Sequence, residues 1–136
     1  MDKHLNYLAL GRKAGLVELG EEPVGAAARS GKAYLIVVAS DAGDHSWRRA
    51  KSYVTGTEQQ CIRLDATKDE LGMATGRTSL AMAAFTDASM AVAFLKAMPK
   101  PHAEALAILE KKAQRLQARQ KEAKAHQRNL RKGKKK

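Results

Sequence analysis

The stretch GKAYLIVVASDA, residues 31–42, decides the fold. Residues 34–39 within it form a continuous run of apolar and β-branched side chains, which is typical of a strand covered on both faces. Such a strand is expected in the middle of a sheet. Ser40, Asp41 and Asp44 follow at once, and these residue types favour the start of a helix. The stretch therefore predicts a buried central strand that leads into a third helix.

Helices and strands also alternate before this strand. Leucine and alanine at helical spacing predict a first helix over residues 2–14, with Asp2 as its cap and Gly15 at its end. Residues 16–19 predict a short strand. A second helix is expected over residues 21–31, because early carboxylates and a proline in the first turn suit a helix start.

The same alternation continues after the central strand. The third helix is expected to end near Gly56, and residues 61–64 predict a strand. A brief helix over 67–73, a buried strand over 81–86 and a helix over 88–98 follow, the last capped by Asp87. Alternating elements of this kind indicate crossover connections. We therefore predict an α/β fold, a three-layer α-β-α sandwich with a mixed four-stranded sheet.

The net charge of +11 is unevenly distributed along the 136 residues. Residues 1–98 hold twelve Lys and Arg against eleven Asp and Glu, whereas residues 99–136 hold thirteen against three. The body is nearly neutral, so the positive field belongs to the C-terminal segment. An anionic polymer is the expected partner of such a segment.

Pro99 and Pro101 predict a boundary between two units, a globular domain over 1–98 and a basic helical tail over 99–136. The tail carries a narrow apolar stripe on a long basic helix, and repulsion among its last charges predicts disorder from Arg128 onward. The stripe consists of Leu106, Leu109, Ala113 and Leu116. The tail residues expected to contact phosphates are Lys111, Lys112, Arg115, Arg119, Lys121, Lys124, Arg128, Arg131, Lys132, Lys134, Lys135 and Lys136.

Several function classes find no support in the sequence. The single cysteine, Cys61, is expected as a small core side chain in a reducing cytoplasm, and the four histidines, among them His4, are expected at the surface. Residues 1–14 do not read as a signal peptide, and no apolar run is long enough to cross a membrane. No metal, cofactor or catalytic arrangement is predicted, so we expect a protein that is not an enzyme.

The order and spacing of several short strings resemble a known family. LGRKAG at 10–15, GEE at 20–22 and GKA at 31–33 leading into LIVVASDA at 35–42 are similar to the family of the archaeal ribosomal protein "L seven Ae", whose bacterial members are close in size. The likeness continues through ELG at 70–72, GR at 76–77 and AAFTD at 83–87. It covers roughly residues 3–98, with no motif in the tail.

The resemblance implies a sandwich that binds structured RNA, in many members the sharply bent kink-turn. It places RNA at the turn before the second helix and at the loop before the last strand, here residues 20–24 and 75–80. Kink-turn readers carry Asn or Lys, then Glu or Gln, then Lys at positions that here hold Glu22, Pro23 and Ala26. The predicted RNA-binding residues are Gly20, Glu21, Glu22, Pro23, Val24, Lys32, Thr75, Arg77, Thr78, Ser79 and Leu80.

Elementary chemistry supports the first of these surfaces. A helix start offers unpaired N–H groups and a partial positive charge to phosphate, and Gly20 permits close approach of a backbone. Arg77 is expected to add a phosphate contact, and Leu80 or Met73 an apolar face for a base. For Arg12 and Lys13, stabilisation of the dipole of the first helix is favoured over RNA contact. Glu21 and Glu22 have an alternative reading as helix-start electrostatics alone.

The sequence thus predicts a non-catalytic, monomeric protein that binds structured RNA, such as ribosomal RNA or a kink-turn, with a tail that contacts nearby phosphates. The alternative is a protein-interaction module in which the apolar stripe of the tail pairs with a second helix or with another copy.

Overall fold

The computed structural model of the chain describes the backbone of residues 2–134 and the side chains of residues 2–129. The structure has ten elements over these residues, and the first nine alternate between helix and strand as the sequence predicts. In chain order they are α1 (Leu5–Ala14), β1 (Val17–Leu19), α2 (Glu21–Arg29), β2 (Leu35–Val38), α3 (Asp44–Val54), β3 (Gln60–Arg63), α4 (Lys68–Thr75), β4 (Met82–Phe85), α5 (Ala88–Ala97) and α6 (Ala103–Lys134).

The four strands form one mixed sheet in the order β1-β4-β2-β3. β2 pairs parallel to β3 and antiparallel to β4, and β4 pairs antiparallel to the edge strand β1. The register places Val38 opposite both Met82 and Arg63, so β2 and β3 end where β4 begins. This end of the sheet, called the Met82 end below, becomes important for the site; the other is the Phe85 end.

Helices cover both faces of the sheet, which confirms the predicted three-layer architecture. α2 and α3 pack together on one face, and α1 packs against α4 and α5 on the other. All four residues of β2 are fully buried, because only a strand inside a covered sheet loses both faces to the core. Phe85 and Phe94, with ring centroids 4.9 Å apart, are the largest side chains of this core.

Two predicted helix caps are wrong, because tertiary contacts determine which groups these side chains meet. α1 begins at Leu5 after His4, with no side-chain cap from Asp2. α3 begins after Gly43, whose helix start also has no side-chain cap, so neither Asp41 nor Asp44 caps it. Instead, Asp41 Oδ1 accepts a hydrogen bond of 2.8 Å from the N–H of Lys68 at the start of α4. A carboxylate beside one helix in sequence thus caps another helix in space.

α4 is held at both ends by local signals. Thr67 and Glu70 form a reciprocal capping box at its start, and Gly76 ends it in the left-handed conformation with φ 74°. The helix continues to Thr75, two residues beyond the predicted end at residue 73. Thr75 is therefore a helical residue, and its hydroxyl donates to the Leu71 carbonyl at 2.8 Å.

The predicted boundary at Pro99 separates two helices, and the second of them packs against the body. The first part of α6, residues 103–117, packs on α5 and the body, with Ala105, Leu109 and Ala113 buried. Leu109 is only 1% exposed and belongs to the hydrophobic core. We call residues 103–117 the near half of α6 and residues 118–134 the far half.

The far half of α6 is exposed at every residue whose side chain is described, from Ala118 to Asn129. The sequence predicted disorder from Arg128 onward, whereas the helix continues to Lys134. Ala, Gln, Lys and Arg are strong helix formers, and the packed near half provides the helical turns that the far half extends. Lys135 and Lys136 lie outside the described residues.

Candidate nucleic-acid interface

The start of α2 is an open helix end. Gly20 precedes it with φ 95°, a left-handed value that favours glycine, and its N–H donates to the Met82 carbonyl at 3.0 Å. The first intrahelical bond runs from the Val24 N–H to the Gly20 carbonyl. Among the described residues, the N–H groups of Glu21 and Glu22 donate to no other atom, as expected for the first residues of a helix without a side-chain cap. These amides lie at the Met82 end, because the preceding Gly20 is bonded to Met82.

The loop after α4 is folded tightly back onto its own helix. The N–H of Arg77 donates to the Gly72 carbonyl at 2.8 Å, and the N–H of Leu80 to the Lys68 carbonyl at 3.0 Å. A Cβ atom on Gly72 would lie 2.7 Å from the Arg77 carbonyl oxygen and 2.8 Å from the Ser79 nitrogen. Only glycine permits this contact between helix and loop, which leaves Arg77, Thr78 and Ser79 exposed.

The fold brings these two segments together. A Cβ atom on Gly20 would lie 3.7 Å from Nη1 of Arg77, so this guanidinium stands beside the open start of α2. A second guanidinium joins from α1, because a Cβ atom on Gly76 would lie 3.0 Å from Nη1 of Arg12. We call Arg12, Gly20, Gly76 and Arg77 the loop surface. It combines unpaired amides, a positive helix end and two guanidinium groups, all of which favour an anion.

The carboxylates next to the loop surface differ in their surroundings. Glu21 Oε1 lies 3.0 Å from Nε of Arg49 on α3, an ion pair without hydrogen-bond alignment between two partly exposed groups. Arg49 therefore offsets part of the charge of Glu21. Glu22 is exposed and forms no ion pair among the described residues. Both residues lie in the first turn of α2, where a carboxylate also stabilises the helix.

Several predicted RNA-binding residues are placed where their side chains cannot contact RNA. Val24 is fully buried, and Thr75 and Leu80 are 1% and 3% exposed. Leu80 therefore offers no face to a base, whereas Met73, at 76% exposed, does. Lys32 follows α2 and borders a hollow with Glu18 and Thr86 at the Phe85 end, away from the loop surface. Pro23, Thr78 and Ser79 are exposed near the predicted contact region.

Arg12 was missed as a candidate binding residue. In the sequence it sits in the last turn of α1, where a basic side chain complements the helix dipole, and that local reading accounts for it fully. Its position beside Gly76, 64 residues later in the chain, depends on the packing of α1 against α4. The LGRKAG string of the resemblance contained the residue, but nothing in the string pointed to a binding role.

The basic residues predicted to contact phosphates fall into three groups. In the near half of α6, Lys111 is exposed, Lys112 is half-buried, and Arg115 pairs with Glu58 at 3.0 Å. In the far half, Arg119, Lys121, Lys124 and Arg128 are exposed. The side chains of Arg131, Lys132, Lys134, Lys135 and Lys136 lie outside the described residues.

His4 and Cys61 have perturbed pKa values with a clear cause. His4 is 4% exposed, so its predicted surface position is wrong, and its ring packs edge-on against Phe94. Burial lowers the pKa of the His4 imidazole below its usual 6.5, against the opposing effect of Asp2 and other carboxylates. Burial raises the pKa of the Cys61 thiol to about 12, although Lys51 acts in the opposite direction. The thiol is therefore protonated and a poor nucleophile at neutral pH.

Two cationic side chains of the same chain lie close to the indole ring of Trp47. Nζ of Lys51 lies 5.5 Å and Cζ of Arg63 5.1 Å from the ring centroid. These are cation–π distances, and the ring is partly buried against the core. Trp47 is therefore a partly buried side chain with cations of its own chain over the ring.

Two further observations bear on function. Among the described residues, no group of three His, Cys, Asp or Glu side chains is arranged to hold a metal ion. Over the same part of the chain, every helix is too short or too polar to span a bilayer.

Comparison with known proteins shows a shared fold. No protein-family model and no curated protein sequence matches this chain. Among solved structures, a protein of unknown function from Bacillus halodurans has 23% identity and a TM-score of 0.68, covering 74% of this chain and 100% of its own. A 15.5 kD RNA-binding protein from Giardia lamblia has 15% identity and a TM-score of 0.54, covering 84% of each chain. At these identities the likeness is one of architecture.

Proposed function

We propose that this protein binds structured RNA at the loop surface and catalyses no reaction on it. The observation that carries the proposal is the position of the Arg77 guanidinium beside Gly20, which joins a charged donor to an open helix start. Phosphate groups fit this combination, since backbone N–H groups and a guanidinium both donate to anionic oxygen. The shared architecture with an RNA-binding protein supports RNA as the source of the phosphate.

The proposed target is an RNA of the ribosomal or kink-turn kind, as the resemblance to the L seven Ae family implies. Exposed Met73, three residues before Gly76 in the chain, suits an unstacked base, which such bent RNA elements display and a regular duplex does not. Glu22 fits a base edge better than a phosphate, because a carboxylate accepts hydrogen bonds and repels phosphate. Pro23 and Ala26, in contrast, offer no polar side chain to the RNA.

We further propose that the protein acts as a monomer in the cytoplasm. The apolar stripe of α6, which suggested an alternative role in pairing with another helix, is used within the chain: Leu109 and Ala113 are buried, and Leu106 and Leu116 are half-buried. No apolar stripe remains for a partner helix among the described residues of α6.

The test uses the full-length protein and a fluorescent RNA hairpin with an internal three-nucleotide bulge, titrated at low and at physiological salt. We expect Arg77→Gln and Arg12→Gln each to weaken binding by about ten-fold, the loss typical of a charged hydrogen bond. Arg29→Gln is the matched control, because Arg29 is an exposed arginine at the opposite end of α2. Equal losses in all three variants would mean that only general charge matters, and the loop surface would be wrong.

A second hairpin of the same length but without the bulge tests the kind of RNA. Tighter binding of the bulged hairpin supports recognition of a bent or unstacked element. Equal affinity for the two hairpins, with Arg77→Gln still weakening both, contradicts the kink-turn-like target while leaving the loop surface in place.

A further inference from the structure

The path of α6 across the body determines where its charges lie. The helix starts after Lys100, whose Nζ lies 3.2 Å from Oδ2 of Asp65, just beyond the end of β3. It then runs back along α5, so that Gln117 meets Ser89 at the start of α5, with Nε2 and Oγ 3.5 Å apart. Arg115 pairs with Glu58, just before β3 begins. The near half of α6 therefore runs from the Met82 end of the sheet to the Phe85 end.

The loop surface lies at the end where α6 starts. Gly20 is bonded to Met82, the first residue of β4, and Gly76 and Arg77 belong to the loop that precedes β4. The near half of α6 has fifteen residues and covers about 20 Å at about 1.5 Å per residue. The far half leaves the body at the Phe85 end and continues for about 25 Å by the same rise. Its charges are thus separated from the loop surface by the length of the body.

The far half has the charge of a polyanion-binding element. Residues 118–134 contain seven Lys and Arg residues against the single acid Glu122, and Lys135 and Lys136 follow them in the sequence. The four described members, Arg119, Lys121, Lys124 and Arg128, are exposed, and none forms an ion pair with a described residue. A rod of this charge density captures phosphates by releasing counterions, with little regard to base sequence.

We propose that the protein bridges two RNA segments, one held at the loop surface and the other along the far half of α6. This inference rests on the proposed function for its first contact and adds a second at the opposite end of the molecule. It differs from the sequence expectation, in which the tail contacts phosphates near those bound by the loops. The two segments are either two helices of one folded RNA or two separate RNA molecules.

The experiment counts RNA molecules on each protein and measures their proximity. The full-length protein is mixed with an eight-base-pair bulged hairpin, labelled in one half of the sample with a donor dye and in the other with an acceptor. Native mass spectrometry gives the stoichiometry, and energy transfer reports two hairpins on one protein. We expect two hairpins per protein. As protein is added to a fixed amount of RNA, energy transfer should first rise. It should then fall once protein exceeds RNA, because the hairpins separate onto different protein molecules.

Two full-length variants identify the contacts. Replacement of the nine Lys and Arg residues of 118–136 by Gln should leave one hairpin per protein and abolish energy transfer. The double variant Arg12→Gln and Arg77→Gln should also leave one hairpin, now on the far half of α6. The control Arg29→Gln with Lys96→Gln changes two exposed basic residues outside both surfaces and should retain two hairpins.

The outcomes separate the two proposals. A single hairpin on the unmodified protein, with affinity reduced by the Arg12 and Arg77 changes, overturns bridging and leaves the proposed function intact. If RNA binding is unchanged in the Arg12 and Arg77 variant but lost in the nine-Gln variant, the loop surface is wrong. The bridging proposal is then wrong as well, because it depends on that surface. Retention of two hairpins by the nine-Gln variant would also overturn the bridging proposal.

Discussion

Asp41 and Lys68 are joined by a hydrogen bond of 2.8 Å between a carboxylate oxygen and a backbone N–H, across 27 residues of sequence. The bond ties the segment after β2 to the first turn of α4. The opposite end of α4 leads directly into the loop that carries Arg77, so this carboxylate helps to fix the position of half of the loop surface.

Replacement of Asp41 should therefore destabilise the protein through α4. We expect Asp41→Ala to lower the free energy of unfolding by about 1 kcal/mol, the usual cost of removing a side-chain cap. Asp41→Asn keeps an acceptor oxygen, so it should lower the free energy of unfolding much less. Urea unfolding followed by circular dichroism compares the two. Equal losses from Ala and Asn would indicate that charge, and not the hydrogen bond, is what matters at this position.

Gly72 should be essential to the geometry of the loop. In Gly72→Ala, the new methyl group meets backbone atoms of Arg77 and Ser79 at less than 3 Å, so the loop must move away from α4. We expect a loss of about 1 to 3 kcal/mol in stability, together with weaker binding of the bulged hairpin. Gly43→Ala is the control, since a Cβ atom there meets nothing within 4 Å. Thermal melts and hairpin titrations test both; normal affinity in folded Gly72→Ala would contradict the role of this loop.

The packing of α6 on the body predicts that its near half contributes to global stability. Leu109→Ala removes a side chain that is 1% exposed and should cost about 2 to 5 kcal/mol. The neighbouring Ile108 is 36% exposed, and Ile108→Ala should have a small effect. Tyrosine and tryptophan fluorescence during urea unfolding reports on the body. A body that unfolds unchanged in Leu109→Ala would support the division into two units that the sequence predicts.

The salt dependence of RNA affinity should show whether the far half of α6 contacts phosphates. If Lys121 and Lys124 each neutralise a phosphate, Lys121→Gln with Lys124→Gln should flatten the slope of log affinity against log salt by about 1.8 on duplex-like RNA. Arg29→Gln with Lys96→Gln carries the same charge change on the body and should leave the slope nearly unaltered. Polarisation titrations at four or more salt concentrations provide the slopes, and the same slope in both double variants would refute the assignment.

The buried His4 should make the folded protein less stable in mild acid. Its pKa is lowered in the folded protein by burial, so the unfolded chain binds the proton more readily. Stability contributed by the neutral imidazole is complete above pH 6.5 and decreases as the pH falls below that value toward the lowered pKa. We expect His4→Phe to have a flatter dependence of melting temperature on pH between 7.5 and 5 than the unmodified protein. Parallel curves for the two proteins would show that other groups cause the dependence.

The order and type of the elements follow from local sequence. The buried run at residues 34–39, the capping box that begins with Thr67 and the cap at Asp87 act over a few residues, and the structure places strands and helices accordingly. The fold class was predictable because these signals agree with one another along the body.

Features that depend on distant partners were not predictable in the same way. Asp41 accepts a hydrogen bond from the start of α4, and Arg12 lies beside Gly76. His4 is buried against Phe94, and Leu109 packs in the core although two prolines separate it from the body in the sequence. Each local reading was chemically sound, but tertiary packing decided which partner the side chain met. The candidate site was predicted at the level of its two loops, while its exposed side chains required the three-dimensional arrangement.

The continuity of α6 has a thermodynamic consequence for any ligand of its far half. A flexible basic extension of the same length samples a large volume and loses conformational entropy when it binds. Here the buried turns around Leu109 fix the direction in which the following turns extend. The cations of the far half are thus preorganised, so less conformational entropy is lost when they bind a second RNA segment. A proline at Ala118 would remove this advantage while preserving every charge.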